Sequence, residues 1–212
     1  GKNMYDVAII GAGVVGGMIA RTLAKYKLSI CIVEKENDVA MGATKANSAI
    51  VHAGFDAKVG TLKAKFNVRG SELMPKVAEE LGVKYENNGS LVIGFTEEDR
   101  ETIKALYERG RTNGVKELKI VEKEELSVLE PNLSEEVLCA LYAPTGAITC
   151  PYELTIAAIG NAMDNSAELE LNFEVKEIRE KDGCYEVCSE NKVLETKYVI
   201  NAAGIYSDKI AA

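Results

Sequence analysis

The only histidine in this 212-residue chain, His52, stands in "GATKANSAIVHAG", a run of mostly small residues from Gly42 to Gly54. An imidazole has an ordinary pKa of about 6.5, which suits it to take a proton from a hydroxyl near neutral pH. A single histidine in a chain of this size needs no purpose, so its setting decides what it is worth. Upstream, Gly11, Gly13 and Gly16 spell G-x-G-x-x-G in "GAGVVG". Glycines at this spacing serve a tight turn, close approach of the backbone to a pyrophosphate, and close packing of a helix on a strand. Glu34 follows 18 residues after Gly16, where a carboxylate accepts hydrogen bonds from an adenosine ribose. That carboxylate favours a free 2′-hydroxyl over a 2′-phosphate, so NADP is disfavoured while NAD and FAD both fit.

These residues need a scaffold, and the flanking pattern supplies one. Val7–Ile10 is a continuous apolar run, as in a strand buried on both faces of a parallel sheet. Ile19, Leu23 and Tyr26 recur at helical spacing, and Leu28–Val33 is a second apolar run ending at Glu34. Strand, glycine turn, helix and strand make a βαβ unit whose helix N-terminus offers free N–H groups to phosphates. An NAD domain would move promptly into another helix and strand after Glu34. Residues 35–56 instead carry small and polar groups, among them Thr44, Asn47 and Ser48, suited to run beneath an extended cofactor.

Further along, Leu62, Phe66, Leu73, Val77 and Leu81 predict a helix that Pro75 bends or restarts. Residues 84–95 read as strand with a turn at Asn88-Gly89, and Thr96 caps a helix ending at Gly114. A charged segment with a turn-like "LEPNLSEE" comes next, in which "EKEEL" at 122–126 reads as a solvated surface. Val137–Ala143 is strand-like, "CPYELTIAAIGNAM" is helical, and Glu170–Ile178, Tyr185–Ser189 and Lys197–Asn201 are strand-like. "YVINAAG" at 198–204 adds a late strand and a small-residue turn. The polar stretch predicts an insertion, giving 1–84 and 150–212 as two parts of a nucleotide-binding domain and 85–149 as a second domain.

Bulk composition excludes other classes. The net charge is −8, from 25 basic and 33 acidic residues, which leaves no basic footprint for nucleic acid. No run of about 18 apolar residues predicts a membrane span, and the glycine-broken segment Val7–Ala20 does not read as a signal peptide. The five cysteines are scattered, three in apolar or strand-like runs, as buried thiols in a reducing cytosol. Cys184 and Cys188 lack the partners of a metal site, and none is expected. Lys58, Lys63, Lys65 and Arg69 read either as an anion-attracting cluster or, more plainly, as a solvated helix face.

Taken in order, "DVAIIGAGVVGG", "VEKE", "GATKANSAIVHAGFDA" and "VINAAGIYSDKIA" resemble the D-amino-acid-oxidase-like superfamily of FAD oxidoreductases. The nearest likeness is to its glycerol-3-phosphate dehydrogenase and oxidase branch, with L-2-hydroxyglutarate oxidases close behind. The resemblance implies an α/β fold: a Rossmann-like FAD-binding domain with an inserted α+β portion of a substrate domain. Because family members continue beyond the "NAAG" strand, it also implies a truncated carboxy terminus, the chain being the amino-terminal half of a larger enzyme.

With FAD as cofactor, Gly11, Gly13 and Gly16 would face the pyrophosphate and Glu34 the ribose. Thr44 and Ser48 would line the pyrophosphate-to-ribityl segment, Val175 would lie by the adenine, and Ala203 and Gly204 would lie near the backbone-lined side. The implied reaction converts sn-glycerol 3-phosphate to dihydroxyacetone phosphate by hydride transfer to flavin N5, with His52 as base. The alternatives are oxidation of an L-2-hydroxyacid such as L-2-hydroxyglutarate, and a non-catalytic nucleotide-binding fragment. The implied partner is a small phosphorylated or carboxylated alcohol in the cytoplasm, and membrane association or a quinone partner stays open for the full-length enzyme.

Overall fold

In the computed structural model, residues 4–211 are described. They run through β1 (Tyr5–Ile10), α1 (Val14–Leu23), β2 (Ile30–Val33), a 3-10 turn at Ala43–Lys45 and β3 (Ile50–Val51). α2 (Leu62–Leu81) leads to β4 (Tyr85–Glu86), β5 (Ser90–Gly94), α3 (Glu97–Asn113) and β6 (Lys119–Glu122). α4 (Lys123–Leu129), β7 (Cys139–Ala143), β8 (Ala147–Thr149) and α5 (Pro151–Asp164) follow. The chain continues through β9 (Glu168–Glu170), β10 (Glu177–Lys181), β11 (Cys184–Cys188) and β12 (Val193–Asn201). A 3-10 turn at Gly204–Tyr206 and α6 (Ser207–Ala211) complete it.

These elements form two compact units: residues 1–48, 81–83 and 150–212, and residues 49–80 and 84–149. The division falls at Ser48 rather than at 84, because β3 pairs with β8 while Ala53, Phe55 and Val68 pack with Ile103 and Leu141. The later step, from Thr149 to Cys150, lies where the composition changes.

The first unit is built on a six-stranded sheet in the order β10-β11-β12-β1-β2-β9. β12, β1, β2 and β9 are parallel, and the β10–β11–β12 edge is antiparallel. Alternate residues of the apolar runs serve opposite faces, which explains why the runs are continuous. Val7, Ile9, Ile30 and Ile32 pack with Ala20 of α1 and Ile159 of α5. Ala8, Ile10, Cys31 and Val33 pack on the other face with Phe173, Val187 and Leu194. Cys31, Cys139 and Cys188 are buried thiols.

The second unit carries two three-stranded antiparallel sheets, β3-β8-β4 and β5-β7-β6. α3 starts with a capping box in which Thr96 accepts from the Asp99 amide and Asp99 accepts from the Thr96 amide. It ends at Gly114 in the left-handed region, with φ +92°. α2 runs through Pro75 as one helix, although Pro75 has no N–H to give the Ser71 carbonyl.

Two stretches differ from the sequence expectation. The charged segment contains β6 and α4, because Val121 and Leu126 are buried among Val137 and Ala140. Only one α4 residue is buried, too few to make a readable period. The expected strand at Glu170–Ile178 ends with β9 and resumes only at Glu177. Between them Asn172 takes φ +55°, and Asn172 and Phe173 donate to the Glu36 and Glu34 carbonyls.

Candidate functional site: a glycine turn at the carboxyl ends of the parallel strands

β1 delivers the chain to Gly11, whose φ of +108° lies in the region that favours glycine. Its amide donates to the Val33 carbonyl at 2.8 Å. A Cβ here would lie 2.4 Å from the Ala202 carbonyl oxygen, so the turn is pressed against the end of β12. At Gly16 a Cβ would meet the Gly11 carbonyl oxygen at 1.9 Å, which holds α1 directly on the strand turn. Gly13 is the N-cap of α1, and a Cβ there would sit 3.0 Å from Thr44 Oγ1.

The charges around this turn are arranged by hydrogen bonds. Glu34 Oε2 accepts from the Ala12 amide at 2.8 Å and Oε1 accepts from the Glu36 amide at 3.0 Å. Each carboxylate oxygen keeps lone-pair capacity for a further donor. Thr44 is buried, and its Oγ1 accepts from the Val14 amide at 3.0 Å, capping α1 from a residue 30 positions away. Ala40 donates to the Ala12 carbonyl at 2.9 Å and laps the same segment over the turn. The amides of Val15 and Gly16 belong to the first helical turn, where no intrahelical carbonyl is available.

The other sequence-chosen positions of this unit divide. Val175 is half-buried against the Phe173 and Val187 face, and Phe173 donates to the Glu34 carbonyl at 2.8 Å. Ala203 donates to Asn201 Oδ1 at 3.2 Å, and Gly204 takes φ +59° in the turn after β12. Gly11, Gly13, Gly16, Glu34, Thr44 and the Ala203–Gly204 turn thus gather at the carboxyl ends of β1, β2 and β12. That is where ligands bind in open α/β sheets. Ser48 is exposed and closes the first stretch of the unit.

His52 belongs to the second unit. Val51 and Ala53 on either side are buried, and the His52 carbonyl accepts from Asn67 Nδ2 at 2.6 Å. The backbone is therefore pinned while the imidazole is exposed. Arg69, from the expected basic cluster, lies 3.6 Å from Glu72 on an exposed helix face.

Sequence reasoning passed over Lys35 and Tyr206. The Lys35 ammonium stands 3.9 Å from the centre of the Tyr206 ring, next to Glu34 in sequence and just beyond Gly204. The adjacency of Lys35 to Glu34 was the available signal, but nothing local pairs it with a residue so far along the chain.

A dinucleotide fits this arrangement, with a turn bare of side chains, a helix start facing it, and a carboxylate with spare acceptor capacity at the end of β2. The family model described as FAD dependent oxidoreductase, DAO, matches residues 6–212. The glycerol 3-phosphate dehydrogenase of Caloramator mitchellensis is 49% identical over 207 residues, covering 98% of this chain and 43% of that protein. The mitochondrial L-2-hydroxyglutarate dehydrogenase of Dictyostelium discoideum is 34% identical over 236 residues, covering 99% of this chain and 51% of that one. Among solved structures, dithionite-reduced L-alpha-glycerophosphate oxidase from Mycoplasma pneumoniae with FAD bound superimposes with a TM-score of 0.92 at 31% identity. That match covers 98% of this chain and 56% of the oxidase. The chain spans about half the length of the curated relatives it matches. Among the described residues, no helix is long and apolar enough to cross a membrane.

Proposed function

The chain belongs to the DAO family of FAD dependent oxidoreductases, and from that premise we propose that it serves the oxidation of sn-glycerol 3-phosphate to dihydroxyacetone phosphate. The observation that carries this reading is the 49% identity to a glycerol 3-phosphate dehydrogenase across nearly the whole chain. The cradle at the carboxyl ends of β1, β2 and β12 supports it.

Gly11, Gly13 and Gly16, with the first-turn amides of α1, hold the pyrophosphate. Glu34 takes the ribose hydroxyls, and Val175 lies by the adenine. Thr44 and Ser48 follow the pyrophosphate toward the ribityl chain, with Ala203 and Gly204 on the backbone-lined side. Bound FAD supplies the two-electron acceptor for the hydride that leaves the alcohol carbon. The chain's own contribution to the chemistry is His52, whose free imidazole nitrogen takes the hydroxyl proton as the carbonyl forms. Its pinned backbone and exposed ring suit that task.

Oxidation of L-2-hydroxyglutarate is the second reading, supported by the 34% identity to the Dictyostelium discoideum dehydrogenase. Dye reduction with each substrate separates the two. Purified chain that keeps flavin absorbance through gel filtration supports the cofactor assignment, and colourless chain reconstituted with excess FAD that still elutes without flavin removes it. In the holoenzyme, His52→Ala is expected to slow flavin reduction by roughly 100-fold or more with FAD retained. Unchanged reduction kinetics would take His52 out of the mechanism.

A further inference from the structure

The second unit contains a cavity of about 170 Å³, open on one side, between α2, β4 and the turn after α3. Ala53, Val68, Pro75 and Val115 provide its apolar walls. Ser71 and Tyr85 also line it, and among the described residues neither hydroxyl has a hydrogen-bond partner. Ser71 is buried as a residue, at 9% exposure, while its hydroxyl keeps contact with solvent rather than with a protein partner. A ligand oxygen reaching it would form a hydrogen bond in partly desolvated surroundings, where such a bond is stronger than in water.

Thr145 also lines the cavity without a hydrogen-bond partner among the described residues, and the other polar neighbours are matched. Glu72 pairs with Lys116, the other charged residue of the lining, at 2.9 Å, so the lining itself carries no net charge. Asn87 Nδ2 donates to the Pro144 and Gly146 carbonyls at 2.7 and 2.8 Å. Burial holds the Tyr85 phenol above its ordinary pKa, keeping it a neutral donor. A cavity near 150 Å³ accommodates a benzene-sized ring.

We propose that this cavity is a binding site for a small uncharged ring compound carrying one hydroxyl or carbonyl oxygen. The ring lies against Ala53, Val68, Pro75 and Val115, and the oxygen meets Ser71 Oγ and Tyr85 Oη. None of these residues belongs to the glycine turn, so the site does not depend on flavin or on the redox reading.

Phenol, with benzene as control, tests this by titration into the isotope-labelled chain while amide signals are followed by NMR. Saturable shifts are expected at Ala53, Ser71 and Val115, with benzene binding more weakly. Ser71→Ala is expected to weaken phenol about five-fold, the effect of one net hydrogen bond. Tyr85→Phe, which keeps the ring volume, should act in the same direction and serves if Ser71→Ala does not fold. Shifts that fail to saturate or scatter over the surface overturn the proposal. So does equal affinity for phenol and benzene that neither substitution changes, which would mark a packing void only.

Discussion

At Gly16 one missing methyl group holds α1 on the strand turn. An alanine there would place its Cβ 1.9 Å from the Gly11 carbonyl oxygen, and backbone on both sides leaves no flexible atom to yield. Gly16→Ala is therefore expected to cost about 1–3 kcal/mol, as overpacking does, and to lose FAD because the turn amides move. Urea unfolding measures the first effect and flavin absorbance after gel filtration the second. Native stability together with retained flavin would contradict it. Gly16 was readable in the sequence because the motif's spacing carries its geometry. His52 was readable as a lone histidine among small residues, but its backbone anchor, the Asn67 side chain, was not. Ser71 was invisible, since a serine inside a helix signals nothing until α2, β4 and the Val115 turn surround it.

Among elements, α1 shows how a helix start depends on distant chain. Its N-cap residue is Gly13, which has no side chain to offer, and Thr44 provides the acceptor for the Val14 amide instead. Thr44→Val keeps the shape and removes that acceptor. It is expected to cost about 1 kcal/mol, read as a lowered urea midpoint with unchanged slope, and to weaken FAD retention. A midpoint equal to wild type would show that the cap contributes nothing. The periodic elements, β1, α1, β2, α3 and α5, were legible because each buries a regular face or carries its own cap. α4 and β9 were not. They are seven and three residues long, and too few of their positions are buried to repeat a period.

Across the whole chain, a cluster at the amino end of β1, beside the middle of β12, joins residues far apart in sequence. The Lys197 ammonium donates to Asp6 Oδ1 at 2.8 Å, and the Ser29 amide and hydroxyl donate to Oδ2 at 2.9 and 3.1 Å. Together they lower the Asp6 carboxyl from 3.8 to about 2, Lys197 contributing most. A carboxyl held low in the folded state stabilises it above the unfolded pKa, and that contribution disappears as pH falls through the folded one. Asp6→Asn is thus expected to lower the unfolding midpoint at pH 5, with the deficit shrinking below pH 3.8 and vanishing only once the pH is below about 2. A deficit independent of pH would rule out the charge as its source.

The sequence by itself determined the βαβ opening, the dinucleotide turn, the carboxylate at the end of β2 and the FAD family, because these rest on local spacing and on motifs in order. Only the tertiary structure decided that the second unit starts at Ala49, that Thr44 caps α1, that Lys35 meets Tyr206 and that Ser71, Tyr85 and Val115 line one cavity. Those are contacts between residues distant in the chain, and their energy comes from packing that no local pattern records.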